Sequence, residues 1–269
     1  MAHAWSSIKD TDHAAAFRAL GIKVMSDKGE HITAKSGDAR AKWVNWTVCQ
    51  DGNLAGTDST VAGLVRAVRH NELHTLDPAH PILDFLGVLK IRHQLVDAVK
   101  NGARYRIDIP ASVYGAVLVR GDEPPLVQQP PHIQTGDLKL AACLIRLGLP
   151  LVKIEGTPPD SKMFLASPGY ELHGTAPVDG FRLVPSFRSL QRKTWADPAP
   201  EVPADLDPVL NRLRSLMHVL WIRDRLHDYI SGRVQNLIVT RPFNQKQILL
   251  PENTTGPLLD RCRKFLHVP

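Results

Sequence analysis

Basic side chains interleaved with aromatic ones form three clusters in the second half of the sequence. The first cluster spans residues 181–195, the second lies around Trp221, and the third is residues 261–265. Lys and Arg can follow a phosphate backbone while aromatic rings stack on bases, so this pattern favours nucleic-acid binding. An ordinary basic surface is the alternative, because Asp224 and Asp228 dilute the second cluster. The residues predicted to contact DNA or RNA are Arg188, Arg192, Lys193, Trp195, Arg223, Arg225 and Arg233.

The net charge of +6 is unevenly distributed over the 269 residues. Residues 1–130 hold 15 Lys and Arg against 14 Asp and Glu, whereas residues 131–269 hold 18 against 13. The second half therefore carries a net charge of +5 and the first half only +1. We expect the second half to supply most of the contacts to phosphate.

Two histidines, His70 and His74, have a spacing that would place them on one face of a helix, where they could bind a metal. A metalloprotease helix needs Glu directly after the first histidine, and Asn71 occupies that position. The second half of the sequence has no equivalent pair. A solvated helix end is therefore the favoured interpretation, and no metal site is predicted.

Arg92 and Arg223 occupy matching positions in two long helical patterns, and each precedes an aspartate, Asp97 or Asp228, by five residues. Side chains five apart do not pair well on one helix, so the partners of these residues must lie on other elements. The two arginines either contact anions as a symmetric pair, or each caps or bridges elements inside its own copy. The bridging interpretation is favoured.

Residue arrangements typical of catalysis are not recognisable in the sequence. There is no glycine-rich phosphate loop, no paired carboxylates and no Ser-His-Asp order, so no catalytic residue and no cofactor is predicted. Cys49, Cys143 and Cys262 are widely spaced, which argues against a disulfide framework or a zinc site. Cys143 is predicted to be a small core residue. An enzyme is the third option, and it would need a polar cluster in a cleft.

Four blocks of sequence recur in the same order, which indicates a tandem duplication. The longest block begins Leu-Asp-Pro at Leu76 and at Leu206, and then reads Val-Leu-x-Ile-Arg-x-x-Leu-x-Asp from Val88 and from Val219. A Pro-rich stretch, residues 124–131, lies where the first copy would end. Two domains are therefore predicted, residues 1–130 and residues 131–269. Unrelated helices with a common amphipathic pattern are the alternative.

Each copy is predicted to be α+β, with the element order α–β–β–α–α–β–β, and the two copies to be related by pseudo-twofold symmetry. Long amphipathic helices are expected at residues 80–101 and 209–231, and each copy ends in a β-hairpin. Residues 43–48 alternate as an edge-exposed strand would. In the second copy, Pro185 interrupts the pattern of a helix over residues 181–192.

Cap residues predict where the first helix of each copy begins and ends. Asp10 or Asp12 can cap the first copy's helix, and Gly21 can end it. In the second copy, Thr135 or Asp137 can cap the helix, and its end is predicted at Gly148.

The stretch from Asp137 to Ile154, DLKLAACLIRLGLPLVKI, resembles a small uncharacterised domain family of bacterial phages and mobile elements, the DUF5659 type. Members of that family have a DxxLAAxLxxxG helix, a β-hairpin, a helix and a final helix led by Val/Leu-Asp-Pro. Residues 68–78 resemble the stretch before that final helix. The resemblance covers about half of each copy, mostly packing residues. It implies a mobile-element context and supplies no catalytic residues.

The expected function is that of a non-enzymatic nucleic-acid-binding or ribonucleoprotein accessory protein of a phage or mobile-element system. The alternative is a structural or assembly protein that binds protein partners through apolar patches at Leu147–Val152 and Ile248–Leu250. The apolar runs are shorter than the roughly 20 residues that cross a bilayer. The first ten residues lack an apolar signal core. We therefore expect a cytoplasmic protein without membrane contact.

Overall fold

The computed structural model describes helices and strands in both halves of the chain. The described residues form six α-helices, a short 3-10 helix at Leu73–Thr75 and ten strands, which confirms the predicted α+β class. None of these helices is both long enough and apolar enough to cross a bilayer. The described residues are 5–22, 24–27, 45–54, 60–101, 105–108, 117–120, 132–149, 151–156, 158–166, 179–192, 204–230, 237–240 and 246–249.

The first half of the chain runs strand, helix, two strands, two helices and two strands. Its last helix, which is the long one, agrees with the predicted bounds of 80–101. The elements are β1 (Trp5–Ile8), α1 (Thr11–Ala19), β2 (Val24–Asp27), β3 (Asn45–Cys49), α2 (Val61–Arg69), α3 (Pro81–Asn101), β4 (Tyr105–Asp108) and β5 (Val117–Arg120).

The second half of the chain has the same order of strands and α-helices. The predicted order lacked the strand that begins each half, because these strands are only four residues long and form by pairing with a later strand. The elements are β6 (His132–Thr135), α4 (Leu138–Arg146), β7 (Leu151–Glu155), β8 (Lys162–Ala166), α5 (Gly180–Arg192), α6 (Asp207–Ile230), β9 (Leu237–Thr240) and β10 (Lys246–Leu249).

Two three-stranded antiparallel sheets have the same internal arrangement, β1-β3-β2 and β6-β8-β7. In each sheet the strand that comes last in sequence lies in the centre. The prediction of an edge-exposed strand at residues 43–48 is therefore wrong, because β3 pairs with β1 on one side and with β2 on the other. Trp46 of β3 is only 1 % exposed. The predicted hairpins are confirmed as the pairs β4–β5 and β9–β10.

Helices α1 and α4 begin and end in the same way. The carboxylates of Asp10 and Asp137 accept hydrogen bonds from backbone N–H groups in the first turn of their helices. Gly21 and Gly148 then take the positive φ values of 81° and 108° that end a helix in a left-handed residue. The two aspartate caps and the two glycine stops predicted from the sequence are confirmed.

Helix α5 continues through Pro185, which had obscured the helical pattern. A proline within a helix removes one N–H donor, and the carbonyl that loses this donor belongs to Phe181, one turn earlier. Phe181 lies in the first turn of α5, so the hydrogen bonds of the later turns are unaffected. The proline is therefore tolerated near the start of the helix.

The residues divide into two compact units. Unit 1 comprises residues 1–75 and 221–269, and unit 2 comprises residues 76–220. Each unit thus combines residues from both halves of the sequence. The division into compact units does not test whether the sequence itself is repeated at 1–130 and 131–269, and that domain boundary stays a prediction.

The core of unit 2 contains a charged cluster where α3 packs against α4. The carboxylate of Asp84 on α3 accepts hydrogen bonds from Arg146 of α4, at 2.9 and 2.7 Å, and from Arg212 of α6, at 2.7 and 2.8 Å. The side chain of Arg146 is only 2 % exposed. Burial raises the pKa of Asp84 and the two guanidinium groups lower it, and the guanidinium groups prevail. The carboxylate therefore stays ionised and joins three helices.

Candidate nucleic-acid interface

A polar cleft of about 440 Å³ opens on the surface of unit 2. It is formed by the end of β6, the β7–β8 turn and one side chain of α5. Its lining residues carry hydroxyl, amide and charged groups, and Arg188 is the predicted nucleic-acid contact among them. The lining residues are Gln134, Thr135, Gly136, Pro159, Asp160, Ser161, Lys162 and Arg188.

Strand pairing brings two walls of the cleft together. Thr135, the last residue of β6, pairs with Met163 of β8, and Lys162 immediately precedes Met163. The backbone then leaves β6 in a tight turn, because the N–H of Asp137 donates a 3.1 Å hydrogen bond to the Thr135 hydroxyl. The same aspartate caps α4, so the helix and the cleft wall are positioned by one turn.

The two ends of the β7–β8 turn lie close together, with Gly156 against the backbone of Asp160. Gly156 has a φ of +82°, and a Cβ built on it would lie 3.0 Å from the carbonyl oxygen of Asp160. A side chain here would displace Asp160 and the residues after it. The glycine therefore allows Asp160, Ser161 and Lys162 to line the cleft.

Ser161 supplies a buried hydroxyl to the cleft wall. The residue is 7 % exposed, and its Oγ makes no hydrogen bond with any described residue. A buried hydroxyl without a partner costs free energy, and that cost is removed when a ligand oxygen or a water molecule reaches it. Ser161 therefore marks the cleft as a place where a polar ligand gains a contact.

The charged groups of the cleft sum to a net positive charge. Arg188 and Lys162 are cationic and exposed, and Asp160 is the anion among the lining residues. Neither cation lies within ion-pair distance of a carboxylate in the described part of the chain. By contrast, Arg182 on the same helix α5 pairs with Asp205 at 2.7 and 3.1 Å. Arg188 and Lys162 are thus available to an anionic ligand.

Four of the other predicted contact residues lie wholly or partly outside the described part of the chain. Arg192 is the last residue of α5, and its side chain is outside the described part. Lys193, Trp195 and Arg233 also lie outside the described residues. Their role in binding stays a prediction.

Arg223 and Arg225 lie on α6 in unit 1, and both have carboxylate neighbours. Arg223 donates a 3.2 Å hydrogen bond to Asp12 of α1, and its side chain is 17 % exposed. Arg225 lies 3.8 Å from Asp228. Arg223 therefore bridges α6 and α1, but Asp12 belongs to the first half of the sequence, so the expectation of a bridge within its own copy is wrong. Its charge is largely offset, which makes Arg223 a weaker candidate for phosphate than Arg188.

The two spaced histidines do not share a helix face. Helix α2 ends at Arg69, and Asn71 adopts a left-handed conformation with a φ of 57°. His70 precedes this left-handed residue in the sequence and His74 follows it, and both histidines are exposed. Within the described ranges, no three His, Cys, Asp or Glu residues come close enough to hold a metal ion.

A different histidine, His80, caps helix α3. It is 4 % exposed, and its Nδ1 accepts a 3.2 Å hydrogen bond from the backbone N–H of Ile82. The proton must then reside on Nε2, which has no hydrogen-bond partner among the described residues. Burial lowers the pKa of His80 below its ordinary value of 6.5, although Asp77 acts in the opposite direction. The fold therefore holds this imidazole neutral.

Replacing His80 with Asn is expected to reduce the loss of stability in mild acid. The unfolded chain takes up a proton near pH 6.5, whereas folded His80 resists it, so stability falls as pH drops through this range. Asn caps a helix without titrating. Thermal unfolding of both proteins between about pH 7 and about pH 5 measures the difference. Equal pH dependence of the two proteins would contradict the assignment.

The predicted core position of Cys143 is confirmed, and the predicted apolar patch beside it is not. Cys143 is fully buried, and burial raises the pKa of its thiol well above the ordinary value. Leu147, Leu149, Leu151 and Val152 are also buried, at 7 % exposure or less. They pack inside unit 2 because α4 turns directly into β7. The prediction of an accessible patch at Leu147–Val152 is therefore wrong, and the side chains of Ile248–Leu250 lie outside the described part.

Sequence reasoning missed Ser161, Lys162 and Gln134 as members of a site. Gln134 and the adjacent Ser161 and Lys162 belong to no recognisable motif. A turn rich in Gly and Pro before a Ser-Lys pair was the available signal. The chain matches no protein-family model, and comparisons with curated proteins and with solved structures also give no match. The resemblance to the phage and mobile-element family stays a prediction.

Proposed function

We propose that this protein binds nucleic acid without chemical turnover, with the polar cleft of unit 2 as a contact for the phosphate backbone. The observation that carries the proposal is that Arg188 and Lys162 line one cleft beside the buried hydroxyl of Ser161, and that neither forms an ion pair with another described residue. Cations and hydroxyl groups are the donors that proteins direct at phosphate oxygens. The net charge of +5 in the second half of the sequence supports the same ligand.

The proposed setting is a nucleic-acid or ribonucleoprotein accessory protein of a phage or mobile element. That setting rests on the family resemblance of residues 137–154. We also propose that the two halves arose by tandem duplication and are related by pseudo-twofold symmetry. The repeated element order and the matched Asp caps and Gly stops of α1 and α4 support the duplication.

Arg188→Gln is expected to weaken binding of a fluorescently labelled oligonucleotide about five- to tenfold at low salt. One phosphate contact is lost, so the slope of log affinity against log salt should fall by about one. Fluorescence anisotropy across a KCl series measures both quantities. Lys162→Gln should act in the same direction.

Arg182→Gln is the matched control for this experiment. Arg182 is an exposed arginine on the same helix, but its charge is offset by Asp205. We expect its replacement to leave affinity and salt slope nearly unchanged. If wild-type protein binds no oligonucleotide at low salt, the proposed function is wrong, and a salt-insensitive complex with a protein would favour the assembly alternative.

A further inference from the structure

Helix α5 exposes an aromatic ring near the cleft. Phe181 is 52 % exposed, and it is the large apolar side chain that the described residues leave open to solvent. A single exposed apolar residue has no significance by itself. Here it lies on the helix that carries Arg188, so its position relative to that cation decides what it can bind.

The burial pattern of α5 places Phe181 and Arg188 on one face. Leu183, Val184 and Phe187 are buried, whereas positions 181, 185 and 188 are exposed. Residues seven apart lie two turns from each other on the same side of a helix, about 10 Å along its axis. Pro185, between them, is compact and leaves the ring accessible. The exposed face of α5 therefore extends from the Phe181 ring to Arg188, which lines the cleft.

The start of α5 is held close to the sheet that forms the cleft. A Cβ built on Gly180 would collide with Ile133 of β6 and with Leu149. Because Gly180 immediately precedes Phe181, the first turn of α5 lies next to β6, the strand whose end lines the cleft. The ring and the phosphate donors thus belong to one packed arrangement within unit 2.

We propose that the ligand is single-stranded nucleic acid, with a base stacked on Phe181 and a phosphate a few nucleotides further along the same strand bound by Arg188 and Lys162. The inference rests on the proposed function and narrows it. An aromatic ring reaches the face of a base only when that base is not stacked within a duplex. The spacing of about 10 Å corresponds to a few nucleotides of one strand, at roughly 3.4 Å each when stacked.

The test compares labelled single-stranded DNA and RNA with the same sequences annealed into duplexes, by fluorescence anisotropy at fixed salt. Wild-type protein is expected to bind the single strands about tenfold more tightly than the duplexes. Phe181→Ala should weaken single-strand binding about tenfold, the effect of removing one stacking ring. Because no charge is lost, the salt slope should not change, in contrast to Arg188→Gln.

Two further variants separate stacking from general apolar contact. Phe181→Tyr keeps an aromatic face and should retain affinity, whereas Phe181→Leu keeps apolar area and should lose it. Phe181 is exposed, so these variants are expected to melt like wild type, which circular dichroism checks. Absence of binding to every oligonucleotide overturns the proposed function itself. Binding with a preference for duplex, or with Phe181→Ala equal to wild type, overturns only this inference.

Discussion

Replacing Asp84 with Asn is expected to lower the free energy of unfolding by about 3 kcal/mol, because it removes the carboxylate from between two guanidinium groups. Arg146 is 2 % exposed at its side chain and would be left with its charge uncompensated by Asp84. Arg212 is 22 % exposed and can turn toward water. Urea denaturation, read by circular dichroism, measures the loss.

The matched control is Asp205→Asn, which removes the carboxylate of an exposed pair. Arg182 and Asp205 are 51 % and 59 % exposed, so solvent screens their attraction and little change in stability is expected. Replacing Asp84 and Arg146 together, by Leu and Met, should restore most of the lost stability, since an apolar pair of similar volume needs no counter-charge. Equal changes in the free energy of unfolding for Asp84→Asn and Asp205→Asn would show that the Asp84 cluster stabilises the fold no more than an exposed ion pair does.

The Asp84 cluster also makes the stability of the fold decrease in strong acid. The folded protein holds the pKa of Asp84 below its ordinary value of 3.8. The stabilisation is therefore complete above that value and is lost as the pH falls through the lowered pKa of the folded state. Asp84→Asn should remove this part of the acid sensitivity, while the contribution of His80 at milder pH should remain.

Trp46→Ala is expected to destabilise the protein by about 4 kcal/mol, because it leaves a large cavity in a packed interior. Trp46 is 1 % exposed at the centre of the sheet β1-β3-β2. Its indole N–H donates a 3.4 Å hydrogen bond to the Thr11 hydroxyl at the start of α1. The side chain thus fills the core and also contacts the helix that covers the sheet.

Trp46→Phe is the control for this second variant. It keeps an aromatic ring and most of the volume, so a smaller loss of about 1.5 kcal/mol is expected from the missing hydrogen bond and the reduced packing. Denaturant titration of both variants measures the two losses in the free energy of unfolding. If the alanine variant were no less stable than the phenylalanine variant, Trp46 would not be a central packing residue.

Local features of the fold could be predicted from the sequence alone. Asp10 and Asp137 cap helices that end at Gly21 and Gly148, and each of these signals depends on residues within one helical turn. The long helices α3 and α6 follow from apolar periodicity over several turns. The pairs β4–β5 and β9–β10 follow from short apolar runs that lie close together in the sequence.

The first strand of each sheet could not be predicted in this way. Strands β1 and β6 have four residues each and no strong alternation. They exist because β3 and β8 offer them unpaired backbone groups, and those partners lie tens of residues later in the chain. The same omission made β3 resemble an edge strand.

The sequence by itself determined the composition of the elements, their caps and the excess positive charge of the second half. Only the tertiary structure decided which charges are neutralised and which are available. Arg223 meets Asp12 across 211 positions of sequence, and Arg212 meets Asp84 across 128. By contrast, Arg188 lines the cleft and pairs with no carboxylate among the residues that the structure describes. The physical reason is that helix caps act over one turn, while ion pairs and clefts require distant segments to be brought together by packing.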